Sequence, residues 1–387
     1  MRKTGVTARG IICPIVKEGD DLKKIVVDNV LEAAQEEGFK LHDRDIVAVT
    51  ESILARSQGN YATVDDIAKD VFDKLHLDEN SKSVLVVYPI LSRNRFAMCL
   101  KGIARACIGK KVVVLFPFDH DEVGNVVEHP ITGVNYEHYY SEIIAGEGAQ
   151  PEFLYSDDPE NYNFYKHIIV ASIHTREELK EKIKPKRIDG HIITLQDILS
   201  DRCEYGVLGS NKASEEKIKL FPHDSKAFVE SVKEELKNRT GLNMEVMVYG
   251  DGAFKDPVSG IWEFADPVVS PGYTDGLEGT PNEVKIKYLA DDKYDNLHDK
   301  ELADKIKEEI NTKDKDLTGN MLSQGTTPRR IRDLVGSLCD LVSGSGDKGT
   351  PVVLVQGYFN NFATEETKDA KLEHKQNSRT RKKGKGN

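Results

Sequence analysis

Short runs of branched apolar residues recur along the chain, separated by stretches with helical spacing, and this alternation restricts the fold more than any other feature. The runs are GIICPIV (10–16), DIVAVT (45–50), SVLVVYPI (83–90), KVVVLF (111–116), HIIVAS (167–172), HIITL (191–195), MEVMVYG (244–250) and PVVLVQGY (351–358). Each has the length and β-branched content of a buried strand. Between several of them lie helical patterns. DDLKKIVVDNVLEAAQEEG (20–38) places Leu22, Val26, Val30 and Ala33 on one face and ends at a glycine. TVDDIAKDVFDKL (63–75) begins with Thr63 and Asp66 at capping-box spacing, and SIHTREEL (172–179) repeats that spacing at Thr175 and Glu178. Helical spacing also covers 93–107, 223–241, 299–313 and 326–342. The pattern predicts an α/β or α+β domain with a central sheet.

Two stretches break the alternation. Residues 117–165 are rich in acid, histidine and tyrosine, and 262–295 are turn-rich. Long irregular stretches in a compact protein often carry function. The first suggests an inserted subdomain at 91–165, leaving 1–90 and 166–363 as the core. Residues 364–387 carry eight Lys/Arg against four Asp/Glu and almost no apolar residues, which reads as a disordered basic tail.

At 387 residues the chain can bury a full core. Its formal charge of −11 argues against a general nucleic-acid binder. No apolar run approaches the roughly 20 residues that span a bilayer, and Pro14 with the following acids argues against a signal peptide. Cys13, Cys99, Cys107, Cys203 and Cys339 are odd in number and lack CxxC spacing, so they read as reduced thiols of a cytoplasmic protein.

Several polar turns can carry chemistry, each with a plainer reading beside it. GSGDKG (344–349) joins a helix to the last apolar run; its glycines either cap the helix or admit a phosphate against bare backbone. Asp251 follows the run 244–250, where a strand's C-terminal edge can present an acid to a divalent cation, or where a DG pair simply turns the chain. Asn211 lies in a second glycine-polar turn. Glu51, Ser52 and Arg56 follow DIVAVT, and Arg56 can contact phosphate or merely sit on a surface helix. Asp119, His120, Asp121 and Glu122 offer oxygen ligands with one imidazole, or an ordinary solvated charge run. Arg329, Arg330 and Arg332 oppose a helix dipole, which suggests an anionic ligand or a carboxylate partner. His174 reads as structural. There is no Walker loop, no GxGxxG after a strand and no GxSxG elbow.

Taken in order, these segments resemble the coenzyme F420-0:L-glutamate ligase family, the γ-glutamyl ligases of deazaflavin coenzyme synthesis. CPIVKEGDDL is similar to the family's P-x-I-x-x-G-D-x-L segment, and DRDIVAVTESILARSQGN to its strand followed by Q-x-x-x-S-K-x-E-G. YGVLGSNKASEEKIKLFPHDS resembles G-V-D-x-S-N with its leucine-proline end, MEVMVYGDGAF the strand entering S-D-T-H-G, and VSGSGDKGTPVVLVQGY the M-G-Q-x-x-E-G-x-P-V-V segment. The likeness covers roughly 9–65 and 190–360.

The resemblance implies an intertwined α+β homodimer that uses GTP and Mg2+ or Mn2+ to join L-glutamate to a small-molecule acid, F420-0 or a related compound. It places Pro14, Ile15, Glu51, Ser52, Arg56, Asn211, Gly344, Ser345 and Gly346 on nucleotide contacts and Asp251 on a metal ligand, with Asp119 and Glu122 as possible additional ligands. The departures are specific. The aspartate before S-N becomes Leu208, or Gly209 with a one-residue shift; the threonine after the second aspartate becomes Gly252; Arg56 replaces a lysine. The sequence therefore implies a ligase with an altered site, or alternatively a nucleotide-binding or scaffold protein that kept the fold without the chemistry. An RNA contact through the basic tail is a third reading.

Overall fold

The computed structural model describes residues 4–122, 124–130, 132–184, 189–250, 270–317, 319–323, 329–343 and 346–364, with the backbone of two short strands at 253–255 and 262–264. The chain runs β1 (Thr7–Ile11), α1 (Leu22–Glu36), β2 (Ile46–Thr50), α2 (Glu51–Ser57), β3 (Tyr61–Thr63), α3 (Val64–Lys74), β4 (Ser83–Val87), α4 (Phe96–Ala106) and β5 (Lys111–Phe116). It continues through α5 (Tyr136–Gly146), β6 (Gln150–Tyr155), β7 (His167–Val170), α6 (Arg176–Lys182), β8 (His191–Thr194), β9 (Asn211–Ser214), β10 (Lys217–Lys219) and α7 (Ser225–Thr240). The last part holds β11 (Glu245–Tyr249), β12 (Ala253–Lys255), β13 (Trp262–Phe264), β14 (Gly272–Tyr273), α8 (Ile286–Tyr288), α9 (Asp299–Thr312), α10 (Ile331–Ser343) and β15 (Val352–Gln356).

A mixed sheet gathers both ends of the chain in the order β1-β15-β2-β11-β14. β2 and β11 run parallel, and β15 is antiparallel to β1 and β2. Strand side chains alternate between faces, so each apolar run feeds two layers. Val47, Val49, Val246, Val248 and Leu354 pack on α1 and α7. Ile46, Ala48, Met247, Tyr249 and Val355 face Val335 and Cys339 of α10. Both faces are covered, which explains why these runs are apolar throughout rather than alternating.

A second sheet is wholly parallel, in the order β6-β5-β4-β7-β8. Counted within the sheet, that is the 3-2-1-4-5 arrangement of a doubly wound fold. Val84, Val86, Val112 and Val114 share a core with α3, α4 and α5, while Leu85, Val113 and Ile168 meet Leu179 of α6. The 91–165 segment is not closed on itself: β5 pairs with β4, which lies before those limits, and β4 pairs with β7, which lies after them. Sequence reading also passed over α5 and β6. The Pro151 in β6 argues against an interior strand, and β6 is in fact an edge strand, where a missing N–H is tolerated. A small sheet, β3-β10-β9, joins the two large ones.

The capping box at α3 is present: Asp66 N–H donates to Thr63 Oγ1 at 3.1 Å, and Thr63 N–H donates to Asp66 Oδ2 at 2.7 Å. The same spacing at Thr175 gives no side-chain cap. Glu122 reaches across instead and accepts the N–H groups of Ile173, His174 and Thr175.

Candidate functional site

A cavity of about 890 Å3 lies where the mixed sheet meets the small sheet. Its walls come from segments far apart in the chain, and each is placed by a strand end. The connection after β1 brings Cys13, Pro14 and Ile15. Cys13 N–H donates to the Gly349 carbonyl at 3.1 Å, and Thr50 N–H to the Pro351 carbonyl at 2.9 Å, which lashes this side to the turn before β15. β2 runs directly into α2, so Glu51, Ser52 and Arg56 stand at the strand's C-terminal end. The β9–β10 hairpin supplies Asn211, Lys212, Lys217 and Lys219, and β11 ends in Tyr249 and Gly250.

Six of the residues singled out from sequence therefore share one cavity: Pro14, Ile15, Glu51, Ser52, Arg56 and Asn211. Asp251, Gly344 and Ser345 lie outside the described residues. Their chain neighbours are on the wall, however: Gly250 before Asp251, and Ser343 before the glycine turn with Gly349, Thr350 and Pro351 after it. Gly346 opens the 3-10 turn Gly346–Lys348.

Asp119 and Glu122 do not reach this cavity. Asp119 borders a separate closed crevice with His120 and Asp121. Glu122 is committed to the three backbone N–H donors above, and burial pushes its carboxyl up to about 6 against their pull. Asp121 likewise accepts the Leu91 N–H at 2.8 Å. Asp121 and Glu122 point to different segments, the chain after β4 and the chain after β7, and tie these strand ends together rather than forming a ligand set. Arg332 finds its partners within the fold: its guanidinium lies 4.4 Å from the Tyr273 ring centre and 3.1 Å from Glu278.

Glu51 and Lys219 form a buried pair at 3.1 Å. The acid sits in the first turn of α2, where the helix dipole favours it. Lys217 Nζ lies 4.3 Å from the centre of the Tyr61 ring. The Tyr249 hydroxyl is buried beside the Ser343 side chain, and burial pushes its ionisation well up, so it stays protonated. A ligand or water can pair with such a group. Burial raises the Cys13 thiol to about 11, which leaves it a poor nucleophile at neutral pH.

Among the described residues, the lining carboxylates are Glu51, engaged with Lys219, and Asp340. No group of three His, Cys, Asp or Glu among the described residues is placed to hold a metal ion. Leu208, where the resemblance expects an acid, is 1% exposed in the apolar core.

The lysines of the hairpin, Tyr61 and Tyr249 were not singled out from sequence. A signal existed: K-I-K followed by L-F is an alternating strand whose polar face must meet something. The described residues contain no helix long and apolar enough to cross a membrane. A family model described as F420-0:Gamma-glutamyl ligase matches residues 10–357. A search of curated proteins finds no match.

Proposed function

The chain belongs to the F420-0:gamma-glutamyl ligase family, and from that membership we propose that its cavity binds GTP or ATP and joins L-glutamate to a small-molecule acid. One observation carries the reading: Pro14, Ile15, Glu51, Ser52, Arg56, Asn211 and both flanks of the glycine turn converge on one polar cavity. A volume of about 890 Å3 is within the size range of pockets that enclose drug-sized ligands. The acceptor is F420-0 or a related carboxylic acid.

The reaction needs two transfers. An acceptor carboxylate oxygen attacks the γ-phosphorus and the nucleoside diphosphate leaves. The glutamate amine then attacks the acyl phosphate, phosphate leaves, and the amine proton passes to solvent or a base. Arg56 and the hairpin cations offset the phosphate charge, Tyr249 donates a hydrogen bond, and the walls align the reactants. Mg2+ or Mn2+ at Asp251 belongs to the family expectation. The described residues alone do not complete a site for it.

Ile12, Ile15 and Leu341 are 72%, 80% and 79% exposed, and they line the cavity or adjoin residues that do. Such an apolar rim suits a second copy of the chain, giving a homodimer. Sedimentation velocity should show a dimer that Leu341→Glu dissociates.

The function is tested by nucleotide titration and by phosphate release with and without L-glutamate and an acidic deazaflavin. Binding with glutamate-dependent release is expected. The absence of both nucleotide binding and phosphate release would refute the proposal. The buried Leu208 favours one alternative, a nucleotide binder without ligation, which would bind tightly and release no phosphate.

A further inference from the structure

We propose that protein cations on the β9–β10 hairpin and α2, rather than a carboxylate-held metal ion, neutralise the nucleotide phosphates in this cavity, with Lys217, Lys219 and Arg56 as the phosphate contacts. This rests on the nucleotide reading above and concerns how the same site holds its ligand.

The acid that the resemblance expects is absent for a packing reason. Leu208 points into the core shared by α3, α4 and the parallel sheet. A shift of one residue does not help. A Cβ at Gly209 would fall 2.1 Å from the Phe221 ring, and the backbone there has φ of +71°. Neither position can carry a carboxylate into the cavity without moving the core.

The opposite charge has gathered on the same hairpin. β10 alternates, so Ile218 enters the core while Lys217 and Lys219 face the cavity. Among the described residues, Lys212, which also pairs with Glu215, and Arg56 join them on the wall, with the carboxylates of Glu51 and Asp340. The whole chain carries −11, so this balance runs against its overall charge. Clefts lined by one sign of charge concentrate ligands of the other.

The acids next to these lysines are drawn away. Glu216 pairs with Lys101 and, at 2.9 Å, with Arg105, both on α4. Lys101 also donates to the Glu215 carbonyl at 2.8 Å, and Lys212 holds the Glu215 carboxylate at 2.5 Å. The hairpin tip is therefore clamped from outside by α4. Among the described residues, Lys217 faces the Tyr61 ring and the cavity. Lys219 is 8% exposed and already desolvated, held by Glu51 at 3.1 Å. An ammonium held in place this way loses little further hydration when phosphate oxygens arrive.

The test is calorimetric titration of the full chain with GTP, ATP and inorganic triphosphate, in magnesium, in manganese and in a chelator. Affinity in chelator should stay within about tenfold of that with metal, and Lys217→Met should weaken all three ligands by about tenfold or more, the loss expected for one charge-assisted contact. Lys217 is exposed, so its variant keeps the fold. Lys219→Met paired with Glu51→Gln avoids stranding a buried charge and should weaken binding similarly. Binding that requires metal, or that both variants leave unchanged, overturns this inference and leaves the nucleotide reading standing. Binding in no arm removes both.

Discussion

Restoring an aspartate at position 208 is the sharpest test of how this core is built. Leu208 is 1% exposed and belongs to the large apolar cluster. Leu208→Asp gives up the burial of one leucine, about 2–3 kcal/mol. An unpaired buried carboxyl adds about 1–3 kcal/mol even when neutral. Keeping it neutral at pH 7 requires protonation some three units above its ordinary value, at about 1.4 kcal/mol per unit, or roughly 4 kcal/mol. The total of about 7–10 kcal/mol is comparable with the whole stability of a typical fold. The pH signature separates this from simple cavity formation. The folded-state pKa of the new acid is raised, so the protonation cost is full above that raised value and fades as pH falls toward the ordinary value near 4. Urea unfolding followed by far-UV circular dichroism should show the gap between Leu208→Asp and wild type narrowing by up to about 3 kcal/mol from pH 7 to pH 5, each unit contributing about 1.4. Leu208→Asn should be destabilised with no such trend. If Leu208→Asp unfolds within about 1 kcal/mol of wild type at pH 7 and gains manganese binding, position 208 faces the cavity and the packing argument is refuted.

Three further outcomes follow from the same contacts. Lys219→Met alone leaves Glu51 buried and unpaired and should cost about 3–5 kcal/mol in urea unfolding, while Lys219→Met with Glu51→Gln should recover most of it. Gly209→Ala forces a Cβ against the Phe221 ring at a left-handed backbone position and should cost about 2–4 kcal/mol; a loss under about 0.5 would mean the turn relaxes freely. Burial with the nearby Arg176 lowers His174 from 6.5 to about 4, so its stabilising contribution is complete above pH 6.5 and is lost as pH falls toward 4. Glu122 works in the opposite sense between 6 and 4.5, by the smaller shift, so acid should destabilise this edge on balance and His174→Gln should flatten the loss.

Much of the fold was legible because each apolar run saturates both faces of a covered sheet. Val47 and Val49 on one side of β2, with Ile46 and Ala48 on the other, need no tertiary information to be read as a buried strand. What failed was sheet membership. Nothing local tells β4 that its partners are β5 and β7, so the boundary at 91 cut through a sheet whose central strand ends at Val87. β6 was lost because its side chains are only partly buried and it carries a proline, both consequences of its edge position. The cap at Thr175 misled for a related reason: Glu122, more than fifty residues away in the chain, supplies acceptors that local spacing assigned to the threonine.

The cavity was legible only where its wall comes from strand ends. Pro14 lies in the connection after β1, Glu51 and Ser52 open α2 directly after β2, and Asn211 opens β9. The lysines were not legible. A surface strand and a cavity-facing strand share the pattern K-I-K, and the choice is made by pairing with β3 and by Glu51, 168 residues away in the chain. That same segment, 207–219, loses an acid to the core at Leu208 and presents ammonium groups at Lys217 and Lys219. The two changes complement each other electrostatically. An acid pair recruits a mobile cation whose occupancy depends on its concentration, whereas a clamped lysine supplies positive charge at any metal level. A hairpin tip held by Lys101 and Arg105 is thus a positioning device for charge, and phosphate affinity should weaken when Arg105→Gln loosens it, with metal concentration making little difference.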